Sequence, residues 1–113
     1  MPWFVKLEQG VVDRAGFDAH LPAHLAWVSQ LERLGHQPST GYWRESKGMN
    51  GGGAGGMLLF QAGDRAEAEA IVARDPLIQA GCVSWVLHEW KVVAGALRPE
   101  APPPLTCGPG PRS

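Results

Sequence analysis

Between Trp3 and Val93 the spacing of apolar residues switches repeatedly between a strand period and a helix period, and the order of those switches restricts the fold more than any other feature. WFVKLEQ (3–9) mixes aromatic and branched side chains with charges at Lys6 and Glu8, which suits a strand. From Asp18 to Leu34 the pattern is helical. HQPSTGYWRES (36–46) returns to strand character, and Pro38 places it on a sheet edge. MNGGGAGG (49–56) reads as a flexible hairpin connection leading into a short apolar strand, MLLFQAG (57–63). Asp64 then caps a second helix, with Glu67 three residues on in a capping-box arrangement. That helix runs to Arg74, where Asp75-Pro76 interrupts it. VSWVLHEWKVV (83–93) is the longest strand signal. The order β-α-β-β-α-β is the ferredoxin-like, split βαβ arrangement: an α+β fold with a four-stranded antiparallel sheet.

Two helices cover only one face of such a sheet. The strands are nevertheless apolar on both faces: Trp3, Val5 and Leu7 alternate with Phe4, and Val83, Trp85 and Leu87 alternate with Val86, Trp90 and Val92. An uncovered apolar face of that size is an interface. The expected partner is a second copy of the chain, the two sheets packing face to face.

The bulk properties exclude more than they assign. A chain of 113 residues is one domain by its length. With 10 Lys plus Arg against 11 Asp plus Glu, nothing advertises nucleic acid or an anionic membrane. The apolar runs are far shorter than the roughly 20 residues that span a bilayer. MPWFVKLEQG has no basic stretch leading into an apolar core, so no secretion signal is expected. Two cysteines, Cys82 and Cys107, make no disulfide framework, and a cytoplasmic protein is the default expectation. Residues 95–113 hold most of the ten prolines and little apolar content, so they are expected to be disordered. The folded domain is then residues 2–94.

The first helix carries the candidate chemistry. On a wheel of about 100° per residue, with His24 at zero, Trp27, Val28, Leu31 and Leu34 fall within about a quarter turn on either side. His24 therefore sits mid-stripe and points inward. His20 lies one turn earlier at a more exposed end, and Pro22 suits the first turn. A single core hydrogen bond would explain His24 as well as a catalytic role would. Its candidate partners are Asp75, Ser84, His88 and backbone carbonyls. Metal binding by His20 and His24 lacks a third ligand at any usual spacing, and no metal is expected. GGGAGG (51–56) lacks the Lys-Ser/Thr of a phosphate loop, and no cofactor motif is visible.

LPAHLAWVSQLERLG (21–35), Thr40-Gly41, DRAEAEAIVARD (64–75) and DPLIQAGCVSWVLHEW (75–90) together resemble the YciI-like, or YCII-related, family. The resemblance covers residues 3–93 and implies a dimeric α+β barrel. It also implies that His24 and Asp75 match the family's motif histidine and aspartate, an acid–base pair in a cleft. Such a carboxylate fixes the imidazole tautomer and leaves the other ring nitrogen free to move a proton. The chain departs from the pattern at Gly41-Tyr42, where relatives carry Gly-Pro. Ser39, Tyr42 and Trp90 are the candidates to line the cleft. The expected function is cofactor-independent acid/base chemistry, of lyase, isomerase or hydrolase type, on a small, cyclic organic molecule. The alternative is a non-catalytic dimeric module that binds a metabolite or a partner.

Overall fold

The computed structural model describes residues 1–45 and 54–97. Most of the Gly-rich connection and most of the Pro-rich tail, with Cys107, lie outside the described residues.

Four strands, β1 (Trp3–Gly10), β2 (Ser39–Tyr42), β3 (Gly56–Gln61) and β4 (Val83–Trp90), form one antiparallel sheet in the order β2-β3-β1-β4. Helix α1 (Arg14–Arg33) follows β1, and α2 (Arg65–Val72) with the short α3 (Pro76–Gln79) follows β3. This is the ferredoxin-like arrangement, with β2 at an edge directly after Pro38 as the proline requires. The helices cover one face. Phe4, Leu58, Phe60 and Leu87 pack there against Trp27 and Leu31 of α1 and Ala68, Ile71 and Val72 of α2.

α1 begins four residues before the sequence pattern suggests. Asp13 caps it, its carboxylate accepting from Gly16 N at 2.7 Å, and the added turn is anchored by Phe17 against Leu77, Cys82 and Val83. Pro22 is consequently inside the helix rather than in its first turn. It is tolerated on the exposed side, where it costs the Asp18 carbonyl its usual donor. The apolar stripe is also narrower than expected, since Leu34 is exposed.

α2 has its cap at Asp64, which accepts from Glu67 N at 2.8 Å; Glu67 reaches back to Gly63 N, one residue before the cap. Asp75-Pro76 ends this helical stretch and starts the next, with Asp75 as the N-cap of α3 and Pro76 in its first turn.

On the other sheet face Trp3 and Leu59 are buried beneath Val92 and Leu97, from the segment after β4. Met57, Val86 and Trp90 remain exposed on that side. No helix among the described residues is long and apolar enough to cross a membrane.

Candidate active site

The site is built on Asp75. As a helix N-cap it must aim its carboxylate at the first turn, and Oδ1 accepts from Leu77 N at 2.9 Å. α1 lies directly across, and His24 Nδ1 stands 2.8 Å from the same oxygen. Oδ2 meets the ammonium of Lys6 from β1. Asp75 is 0% exposed, Lys6 1% and His24 4%, so an ion pair and an imidazole meet inside the core.

Burial alone would push the Asp75 carboxyl up. The hydrogen bond from His24 and the adjacent Lys6 ammonium outweigh it and hold the group below the usual carboxylate range. Asp75 Oδ1 accepts at this distance, so Nδ1 of His24 carries a hydrogen, and in the neutral form of the ring Nε2 keeps its lone pair. Nε2 faces the hydroxyl of Thr40 on β2, 3.4 Å away. Thr40 is exposed, so Nε2 points from the core toward the sheet's β2 edge. The ring also tilts against Trp27, their centroids 5.8 Å apart, and Lys6 Nζ lies 6.0 Å from the Trp27 ring centre.

Strand register decides which other residues reach this place. Thr40, Leu58, Lys6 and Leu87 are successive cross-strand partners and form one row on the helix-covered face. Tyr42, Gly56, Glu8 and Trp85 form the next row. Tyr42 therefore shares the face of His24. Ser39 and Trp90 do not: alternation turns both to the opposite face, with Trp3 and Leu59. The structure brings His24, Asp75 and Tyr42 to one side of the sheet and leaves Ser39 and Trp90 on the other.

Lys6 and Glu8 are the members that the sequence pattern did not point to. In the sequence their charges indicate a strand and no more. Phe4 belongs to the core, however, and residues two and four further along a strand point the same way. Lys6 Nζ lies 2.7 Å from Glu8 Oε1 as well as against Asp75, so one ammonium stands between two carboxylates. The other histidines take no part. His20 is exposed on α1, and His36 Nδ1 donates to Gln61 O at 2.8 Å. Among the described residues no group of three or more His, Cys, Asp or Glu could hold a metal ion. Cys82 is buried near the cluster. Its burial, with the charges of Asp75 and Glu8, pushes its thiol up.

The model of the YCII-related domain matches residues 5–91, a span that includes every member of this cluster. The chain belongs to the YCII-related family. Two solved structures share the fold of this YCII-related domain. The 5-chloro-2-hydroxyhydroquinone dehydrochlorinase of Burkholderia phenoliruptrix, solved with 2,5-dihydroxybenzoquinone, has a TM-score of 0.57 at 19% identity. The match covers 79% of this chain and 93% of that one. A dimeric ferredoxin-like protein from an uncultured marine organism has a TM-score of 0.51 at 17% identity, over 85% and 100% of the two chains. At these identities the likeness establishes the fold. No functionally curated protein matches the chain.

Proposed function

We propose that this YCII-related protein is an acid/base enzyme acting on a small hydroxylated ring, with His24 as the proton-transferring group and Asp75 as the residue that orients it. The observation that carries the reading is the ring's asymmetry. Nδ1 is held at 2.8 Å by a buried carboxylate, while Nε2 faces an exposed strand edge. A histidine serving only the core would satisfy its second nitrogen on buried groups. Nε2 takes a proton from an O–H or C–H of the ring, and that bond's electron pair forms a C=O or C=C bond. If a leaving group departs with its own electron pair, the result is an elimination; if the proton returns elsewhere, it is an isomerisation. The dehydrochlorinase of the same fold supports this substrate class by analogy.

The reading includes a symmetric dimer, formed through the sheet face that carries Val86, Trp90 and Met57. All three are exposed apolar residues, and the marine protein of the same fold is a dimer. A single monomeric species by sedimentation at micromolar concentration would remove the dimer.

The test uses 5-chloro-2-hydroxyhydroquinone and chlorine-free hydroxyhydroquinone, without oxygen, following chloride release and deuterium exchange into the ring. His24→Asn keeps an N–H near the Nδ1 position and removes the Nε2 base. Turnover should fall at least about a hundredfold, in line with the usual contribution of a positioned base, while the melting temperature holds. Full activity in His24→Asn, or binding of both compounds by the wild type with no chemistry on either, refutes the reading. The second outcome is the binding-module alternative.

A further inference from the structure

The side-chain group that faces His24 Nε2 is the hydroxyl of Thr40, whose Oγ1 lies 3.4 Å away. The sheet holds it there. Thr40 pairs with Leu58 of β3, and alternation along β2 turns it to the helix-covered face. Leu58 is completely buried, whereas Thr40, next to it in the same row, is exposed. The cover of the helices therefore ends between these two residues, and Thr40 stands at the lip that Nε2 approaches. β2 is the last strand on this side of the sheet among the described residues. A threonine hydroxyl has one hydrogen to give. In the neutral form of the ring Nε2 has none, so the Thr40 hydrogen is directed to Nε2, over a distance long for such a bond. A substrate hydroxyl giving its own hydrogen to Nε2 would stand about 2.8 Å from it. On the solvent side, such an oxygen also comes within reach of Thr40 Oγ1, and the threonine hydrogen is then free to turn to it.

We propose that Thr40 is a catalytic residue of this site, its hydroxyl donating to the substrate oxygen as that oxygen loses its proton to His24. The inference rests on the acid/base reading of His24 and adds the group that stabilises the charge this step generates. The hydrogen of the substrate O–H passes to Nε2 and the bond's electron pair stays on oxygen, so negative charge develops where Thr40 donates. A hydrogen bond to an ionised oxygen is about twice as strong as one to a neutral oxygen. The contact is accordingly stronger in the transition state than in the bound substrate, and it acts on kcat more than on KM.

4-Nitrophenol is a hydroxylated ring that reports its own charge, because its phenolate absorbs at longer wavelength than the phenol. Added to the full-length protein at a pH where the free probe is mostly phenol, it should develop a phenolate band on binding. Thr40→Val keeps the branched shape of an exposed edge residue and deletes the hydroxyl. The phenolate-to-phenol ratio of the bound probe should then fall about tenfold, the usual effect of a hydrogen bond to a charged group. Thr40→Ser returns the hydroxyl and should return the band. No phenolate gain in the wild type overturns the proposal, as does a band unchanged in Thr40→Val or one that Thr40→Ser fails to recover. The readout does not depend on turnover. A band lost in His24→Asn but kept in Thr40→Val leaves the base standing and removes Thr40. A band lost in Thr40→Val but kept in His24→Asn leaves the hydroxyl donor standing and removes the base.

Discussion

Replacing Lys6 by methionine removes one charge and almost no volume, so it isolates what the ammonium does. The Lys6 side chain is 1% exposed, and its ammonium lies between Asp75 and Glu8, 6.0 Å from the Trp27 ring centre. Methionine can fill the stem's space, but the two carboxylates then face each other in the core without a cation. Removing one partner of a buried ion pair costs about 3–5 kcal/mol, chiefly as the penalty of the uncompensated charge left behind. Domains of this size are stable by about 5–15 kcal/mol, so the loss is a large share of the total. At a urea slope of about 1–3 kcal/mol per molar, the denaturation midpoint should fall by roughly 2 M at neutral pH.

The pH dependence separates this charge effect from poor packing. Asp75 titrates below its ordinary value in the folded protein. It therefore contributes stability that is full above the unfolded carboxylate range and lost as pH falls through the folded value. In Lys6→Met the Lys6 attraction is gone and burial still raises the carboxyl, so its folded value moves up. Protonation relieves the unpaired charge, and the stability gap between wild type and variant narrows as the pH is lowered. Lys6→Arg keeps the charge and should keep the wild-type profile, whatever it loses to crowding. Urea melts across the acid range decide the matter. A Lys6→Met variant as stable as the wild type at neutral pH, or a gap of constant size throughout, refutes the argument.

Gly56→Ala tests the close approach of β2 and β3. A methyl built at position 56 would overlap Gly41 O and come within 2.8 Å of Tyr42 Cα, so the variant should melt lower, and an unchanged melting temperature would show that the two strands can separate freely there. Cys82 should resist alkylation in the native protein at pH 8 and react once the chain is unfolded, because burial and two nearby carboxylates disfavour its thiolate. Peptide mass spectrometry of the Cys82 fragment, with and without denaturant, reads this directly, and rapid native labelling would contradict it.

The order and type of the elements were legible because each buries one face, and burial imposes a period on the sequence. Pro38 marked the edge strand, and the wheel turned His24 inward. The start of α1 was not legible. Gly16 has a low helix propensity and Pro22 resembles a first-turn residue, so the pattern seemed to begin later than Asp13. Tertiary burial of Phe17 holds the extra turn. Ser39 and Trp90 were assigned by chemical type, without following alternation along their strands. Parity along β2 places Thr40 and Tyr42 together and Ser39 apart. Lys6 was hidden for a different reason. Lysine on a strand is usually solvated, and only its partnership with a carboxylate 69 residues away makes its burial tolerable.

That partnership bears on how the site can be tested at all. Asp75 caps α3, holds His24 and neutralises Lys6 at once, so its removal would unfold and inactivate together and distinguish nothing. His24 has no such burden. With the ring gone, Asp75 keeps the Leu77 N–H and the Lys6 ammonium, and His24→Asn can restore a donor near the Nδ1 position. The fold's demand for a satisfied carboxylate and the proposed chemistry's demand for a base therefore fall on different nitrogens of one imidazole. A substitution that preserves the first and deletes the second separates a core histidine from a catalytic one.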